Sequence, residues 1–310
     1  MDGLSIAVLG PGGVGGFLAG VLVREGFCVT CITSDTSVEI IKQEGLRIES
    51  KAFGDFTVYP KVATKLEFEP DILFVTTKAT TLKNALDRVD PCLIGNAVVV
   101  PLLNGIEHMQ VLRSRYCDRV VAATIGNFSA SKVSPNHIIH TTPSAPSAHV
   151  EMASDGDIPK SRLQEISDML AKVNITVDVL NTEADVLWRK LVRLNAIACT
   201  TSASDRPIGF IKSDKWWRKK LEECVIEGID VSYAEGVEMN SETVMAQIDR
   251  LPDGLTTSMQ RDINAGNASE IDAVAGAVVR AGKRHGISCP TIEEMMGIIQ
   301  DRIKTISNTL

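Results

Sequence analysis

No stretch of this 310-residue chain stays apolar over the roughly 20 residues a membrane helix needs, so no membrane span is expected. There is no basic excess either: Lys and Arg number 32 against 39 Asp and Glu, a net charge of −7. Nucleic acid and anionic membranes favour basic surfaces, so neither is expected as the main partner. That balance still leaves room for a local basic pocket holding a small anion. The first residues, Met1-Asp2, carry no basic segment ahead of an apolar one, and no secretory signal is expected. The seven cysteines are odd in number and scattered, which predicts reduced thiols and a cytoplasmic location. Cys28 and Cys31 spell C-x-x-C, but within FCVTCIT, which reads as a buried strand whose residues three apart face opposite ways. Redox or metal-binding thiols need a helix-terminal setting instead. His137 and His140 have no metal-like partners in the sequence, and no metal site is expected.

What is present is an alternation. Apolar strand-like runs at 4–9, 28–33, 72–76, 97–103 and 119–125 are separated by helix-like stretches at 14–25, 37–43, 82–88 and 106–115. Short extended pieces fall at 46–48 and 56–58. Such alternation predicts a parallel sheet covered on both faces. Residues 137–140, 149–153 and 175–180 are candidate extensions of that sheet, with a helix at 160–172. From about residue 182 helical periodicity dominates: 183–198, 215–234, 242–250, 258–265, 270–285 and 292–305. The expected architecture is α/β: a Rossmann-type doubly wound sheet over 1–181, followed by an all-helical domain over 182–310.

Residues 8–20, VLGPGGVGGFLAG, join the first strand to the first helix. Gly10, Gly12 and Gly15 match G-x-G-x-x-G in the setting that motif requires, after a strand and before a helix. The first glycine permits the tight turn, the second lets a pyrophosphate approach, and the third lets helix and strand pack closely. The helix N-terminus then offers N–H groups and its positive dipole end. The whole turn, Gly10-Pro11-Gly12-Gly13-Val14-Gly15, is therefore the candidate cofactor site. Preference between NAD and NADP is set at the end of the second strand. There Ser34, with Thr33 and Thr36, could hydrogen-bond a 2′-phosphate, while Asp35 could accept from a ribose hydroxyl.

Four further groups fall where chemistry is expected. Lys78 follows Thr76-Thr77 at the carboxyl end of a strand, the edge at which doubly wound sheets bind ligands; it is equally readable as a solvated lysine. Asn104, in LLNG, ends the next strand, and is readable as a turn-former or as a ligand-edge residue. Lys190, in WRKL, shares a helical face with Val186, Leu187, Leu194 and Ile197. It is either a stem with a wet head or a desolvated amine suited to proton donation. Ser258 could cap the helix it precedes, and Glu270 could favour the start of the next. Trp216-Trp217 reads as core or interface packing.

Taken together, GPGGVG, TTK, LLNG, WRKL, SDRPIGFI and TSMQRDINAGNASEID resemble the ketopantoate reductase (2-dehydropantoate 2-reductase) family over nearly the whole chain. The resemblance implies a Rossmann domain followed by a helical domain, and reduction of ketopantoate to pantoate by NADPH on the way to pantothenate and coenzyme A. It implies Lys190 as proton donor, Asn104 contacting cofactor and substrate, Lys78 on the cofactor side, Ser258 on the substrate and Glu270 on the cofactor. This chain departs from the family in two places. Asparagines usual one and two turns after the lysine are replaced by Leu194 and Ala198. The nearby Asn195 lies roughly 140° round a regular helix from Lys190, so it reaches substrate only if a π-type bulge intervenes. Ser34 stands where many members carry a basic residue for the 2′-phosphate.

The mechanism implied is hydride transfer to a 2-keto group, with the Lys190 ammonium donating a proton to the developing alkoxide. Such a charge acts where the transition state needs it. The partner is thus a small-molecule 2-keto acid, with NADPH as cofactor and NAD as the open alternative. The other readings are a reductase of a different 2-keto acid, an opine-type dehydrogenase, or a dinucleotide-sensing protein without turnover. Lysine, serine and glutamate retained together argue against the sensor. A homodimer is compatible with the sequence but not specified by it.

Overall fold

The computed structural model describes residues 3–142 and 148–308; Met1-Asp2, read above for a targeting signal, lie outside them. By internal contacts the chain divides into two units. The first runs to Leu103 and resumes over His108–Val186; the second comprises Asn104–Glu107 and the chain from Leu187. The division therefore lies slightly beyond the expected residue 181, and the loop Asn104–Glu107 joins the second unit.

The first unit contains, in order, β1 (Ser5–Leu9), α1 (Gly13–Arg24), β2 (Cys28–Ile32), α2 (Asp35–Glu44), β3 (Leu46–Ser50), β4 (Phe56–Val58) and β5 (Lys61–Ala63). There follow β6 (Ile72–Val75), α3 (Leu82–Leu86), β7 (Val98–Pro101), α4 (His108–Tyr116), β8 (Ala122–Gly126), β9 (Ala130–Ser134), β10 (His137–His140), β11 (Ala148–Ala153), α5 (Lys160–Lys172) and β12 (Ile175–Val179). The central sheet has the order β5-β2-β1-β6-β7, every pairing parallel. Its inner strands are apolar without interruption because both faces are covered: Ile6, Ala7, Val8 and Leu9 are 0% exposed. Strand order reverses between β1 and β6, the topological position at whose carboxyl ends open α/β sheets bind ligands. The expected doubly wound sheet is thus observed.

The expected sheet extensions are corrected. β10 does not extend the central sheet; it pairs with β3 and β9 in a separate four-stranded sheet of order β4-β3-β10-β9. The reason lies in α1, whose outer face carries glycines. A Cβ on Gly16 would meet Ile138 at 2.7 Å, and one on Gly20 would meet Ile48 at 2.7 Å. With no side chains there, the second sheet lies directly on the helix. His140 belongs to this layer: it is buried, shares a hydrogen bond with Ser50 Oγ at 2.8 Å, and stacks on Phe17 and Phe128. β8, β11 and β12 form a third sheet, and the bridge between Val99 and Val120 leads toward it from β7.

Two short strands were not foreseen. β5 has three residues, and β9 (ASKVS) is a polar edge strand without an apolar alternation. On β2, Cys28 is exposed and Cys31 buried, and burial pushes the Cys31 thiol up to about 12.

The second unit is helical: α6 (Glu183–Ser204, its first turn within the first unit), α7 (Ile208–Ser213), α8 (Lys215–Ala234), α9 (Ser241–Asp249), α10 (Ser258–Asn264), α11 (Ala277–Arg284) and α12 (Pro290–Ser307). Short α7 escaped the sequence reading. Side-chain oxygens open several of these helices: Asp214 accepts from Trp216 and Trp217 N–H, and Asn240 from Thr243 N–H. α12 has Pro290 in its first turn and takes its cap from α8, where Glu227 accepts the Thr291 and Ile292 N–H groups at 2.8 and 2.9 Å. α8 and α6 meet closely: a Cβ on Gly228 would lie 3.4 Å from Val192. The expected helix at 270–285 opens instead with a π-turn, Asp272–Gly276, before α11. Among the described residues no helix is long and apolar enough to cross a membrane.

Charge pairs tie these helices together and set an acid limit. The Arg218 guanidinium donates to the Asp249 carboxylate and, with its charge, holds that carboxyl below the ordinary 3.8. A carboxyl whose folded value is depressed lends stability that is complete above the unfolded value and is lost as pH falls through the folded one. The melting temperature is therefore expected to hold near neutrality and fall below about pH 4. Asp249→Asn should lower it at pH 7 and shrink the drop between pH 7 and pH 3. Thermal melts of both proteins across that range check this.

Candidate active site

The turn between β1 and α1 is defined by what its glycines touch. Gly10 has φ +81°, and a Cβ there would meet the Thr77 methyl at 2.5 Å, so both conformation and space require glycine. Its N–H donates to Ile32 O at 3.0 Å, which ties the turn to the end of β2. The Thr76 hydroxyl reaches Leu9 O and Gly10 O at 3.0 and 2.9 Å, and a Cβ on Gly15 would collide with that hydroxyl at 2.0 Å. A Cβ on Gly13 would meet Ala130 O of β9 at 2.4 Å.

Gly12 differs. Its φ is −83°, and the nearest atom to an added Cβ is Gly10 O at 3.9 Å. Neither conformation nor protein packing requires glycine there. It is also the N-cap of α1, where it supplies no side-chain hydrogen bond, whereas Ser34, Asp214, Asn240 and Thr257 cap their helices. An open space thus faces the uncapped, positive end of a helix. Beside Gly10, the Thr77 hydroxyl is buried without a hydrogen-bond partner. Open backbone, uncapped N–H groups and an orphaned hydroxyl fit a dinucleotide pyrophosphate.

At the end of β2, Ser34 caps α2. Its oxygen accepts from Ser37 N–H, and its proton goes to Ser37 Oγ at 3.2 Å. Asp35 is exposed in the first turn. Lys78 is exposed, just before a short 3-10 turn at the end of β6.

In the second unit the loop after β7 is held by the π-turn and α11. Asn104 Nδ2 donates to Glu270 Oε2 at 3.2 Å, and Glu270 is buried. Gly105 has φ +84°, with Ala273 O 2.2 Å from where a Cβ would be. Arg280 makes a two-point contact with the Glu107 carboxylate at 2.8 and 2.7 Å and reaches Asp272 Oδ1 at 2.6 Å. Asn104 and Glu270 were singled out in the sequence from their places after a strand and before a helix, and the family resemblance gave them roles. Glu107, Arg280 and Asp272 were missed, since Glu107 and Arg280 are 173 residues apart and no local pattern links them.

Lys190 lies half-buried on α6, which stays regular through residue 195 and beyond. The π-type bulge that would return Asn195 to the lysine face is not there; the π-turn belongs to Asp272–Gly276. Asn195 is 0% exposed, its Oδ1 accepts from the Cys199 thiol at 3.3 Å, and its Nδ2 has no partner. Ser258 is not the cap of α10. Thr257 is, accepting from Gln260 N–H at 3.2 Å while its hydroxyl lies 3.1 Å from that of Thr201 on α6. Ser258 is therefore left exposed in the first turn.

A family model described as ketopantoate reductase PanE/ApbA matches residues 6–148, and its C-terminal counterpart matches 184–302. The uncharacterized oxidoreductase YkpB of Bacillus subtilis is 24% identical over 301 residues, covering 96% of this chain and 98% of that protein. A 2-dehydropantoate 2-reductase of Caulobacter vibrioides is 29% identical over 294 residues, covering 92% and 94%. Among solved structures, a D-mandelate dehydrogenase with NADH and anilino(oxo)acetate superposes with a TM-score of 0.90 at 21% identity, over 98% of this chain and 100% of that one. A PanE/ApbA family ketopantoate reductase from Ralstonia eutropha gives 0.85 at 24%, with the same coverage. At these identities the structures show likeness of fold.

The contrast between two glycines is testable. Gly12→Val should fold with a near-unchanged melting temperature and lose binding of a reduced nicotinamide dinucleotide, read by cofactor fluorescence. Gly15→Val should be strongly destabilised, because the side chain displaces the Thr76 hydroxyl. Retained cofactor affinity in folded Gly12→Val would make the turn purely structural.

Proposed function

The chain belongs to the ketopantoate reductase family, and on that premise we propose that it reduces 2-dehydropantoate to pantoate with NADPH in the cytoplasm, supplying pantothenate and coenzyme A. The observation that carries an oxidoreductase reading is the glycine at position 12, which the fold does not need and a pyrophosphate does. Gly10, Pro11, Gly12, Gly13, Val14 and Gly15 would hold the cofactor, with Lys78 and Glu270 also on it. Bound NADPH supplies a hydride to the carbonyl carbon of the substrate. Lys190 gives a proton to the carbonyl oxygen as it turns into an alkoxide, so its charge acts where negative charge develops. Ser258, spared from capping, anchors the substrate carboxylate or hydroxyl. Asn104, whose amide is fixed on Glu270, orients nicotinamide and substrate.

A second reading, reduction of another 2-keto acid, rests on the face of α6. Leu194 and Ala198 stand on the Lys190 face where the resemblance expects asparagines, and Asn195 is enclosed. That face offers fewer polar contacts to a hydroxylated chain such as that of ketopantoate. Oxidation of NADPH and of NADH with ketopantoate, pyruvate and 2-ketoisovalerate, each with and without an amino acid, separates these readings from each other and from an opine-type dehydrogenase. Turnover confined to ketopantoate supports the first. With the active substrate, Lys190→Ala should lower kcat by about two to four orders of magnitude while NADPH still binds. Near-normal kcat would remove Lys190 as the proton donor.

A further inference from the structure

At the end of β2 the residue expected to receive a 2′-phosphate is already engaged, since the Ser34 hydroxyl is closed onto Ser37. A different group reaches that corner. Arg88, just after α3, donates from Nη1 to Thr33 O at 2.9 Å and to Thr64 O at 2.9 Å. Thr33 is the residue after β2 and Thr64 the residue after β5, so the guanidinium is pinned across the carboxyl ends of two neighbouring strands. Thr33 is also the residue immediately before Ser34.

Its place sets this arginine apart: among the described residues Arg24 and Arg119 of the same unit also bond no carboxylate, but their partners are Phe53 O and Asn96, not strand-end carbonyls of the central sheet. Arg47, Arg113, Arg115 and Arg162 of the same unit each pair with a carboxylate. Arg88 has no carboxylate partner among the described residues. A guanidinium carries five N–H donors in a planar fork. The two on Nη1 are committed to the two carbonyls. That leaves the Nε–Nη2 edge, the pair of parallel donors that meets two oxygens of a phosphate at once. The main-chain carbonyls fix the plane of the fork without neutralising its charge. Half-burial of the stem further restricts it.

We infer that Arg88 is the residue that selects NADPH, its Nε–Nη2 edge binding the 2′-phosphate of the adenosine ribose at the end of β2. This rests on the dinucleotide reading of the glycine turn. The cation thus enters from the β6–β7 connection, not from position 34, and it offsets the exposed Asp35 carboxylate next to the same ribose. A serine at 34 is then compatible with a strong preference for NADPH.

The test uses the full chain and two nucleotide fragments, 2′,5′-ADP and 5′-ADP, with affinities measured by calorimetry. Wild type should bind 2′,5′-ADP about 10- to 100-fold more tightly, the worth of charge-assisted hydrogen bonds to one phosphate. Arg88→Met should bring the two affinities together while leaving that for 5′-ADP unchanged. Arg88→Lys, which keeps a cation for the carbonyls but has no fork, should fall between them and serves if the methionine variant does not fold. Equal weakening of both ligands in the variants would make Arg88 a strand-end staple and overturn the inference. So would wild type binding 5′-ADP with no preference for the 2′-phosphate, which leaves the dinucleotide reading standing. If wild type binds neither fragment, the dinucleotide reading fails and this inference with it.

Discussion

Helix α1 has to approach two sheets at backbone distance, and most of the first unit follows from that approach. On its inner side, Gly15 leaves room for the Thr76 hydroxyl, which bonds two successive carbonyls of the turn and locks it to β6. On its outer side, Gly13, Gly16 and Gly20 leave room for β9, Ile138 and Ile48 of the second sheet. The helix is held between two layers by its lack of side chains. Its uncapped N-terminus is therefore fixed in place relative to the ends of β1 and β6. An anion site made of backbone N–H groups needs that fixity, because such groups cannot adjust by rotation as a lysine can.

The second unit solves a different problem. Asn104 and Glu270 are 166 residues apart in the chain, yet they share a hydrogen bond. Three contacts hold the loop that carries Asn104: the Glu270 carboxylate, the close backbone approach at Gly105, and the two-point bond between Arg280 and Glu107. The π-turn at Asp272–Gly276 is part of the same arrangement. Asp272 lies within it and binds Arg280 through both its main-chain carbonyl and its carboxylate. Wide turns of this kind are frequent at functional sites, since the extra residue re-aims side chains that a regular helix would leave elsewhere.

The face of α6 that carries Lys190 offers few polar groups. α6 is regular where a bulge would have been needed to present Asn195, and its amide is enclosed beside Cys199. The lysine face is continued by leucine and alanine. In the glycine turn, by comparison, Gly10, Gly13 and Gly15 are each required by a close contact.

Much of this was legible in the sequence, and the physical reason is locality. Apolar runs of four or five residues, helical periodicity and a glycine cluster between them are patterns within one stretch of chain, and they determined the doubly wound sheet, the helical second half and the tight turn between β1 and α1. Ser258 could be named from its neighbours, but whether it or Thr257 caps α10 depended on geometry at a single helix end. The separate sheet over α1 was not legible, because β9 is polar and its pairing with α1 rests on a gap left by glycines more than 100 residues earlier. The same holds for the bonds of Glu107 to Arg280 and of Arg88 to Thr33 and Thr64. A charged side chain carries no local sign of which carbonyl or carboxylate it will meet. That choice is made only when distant segments are packed, and tertiary structure alone decided it.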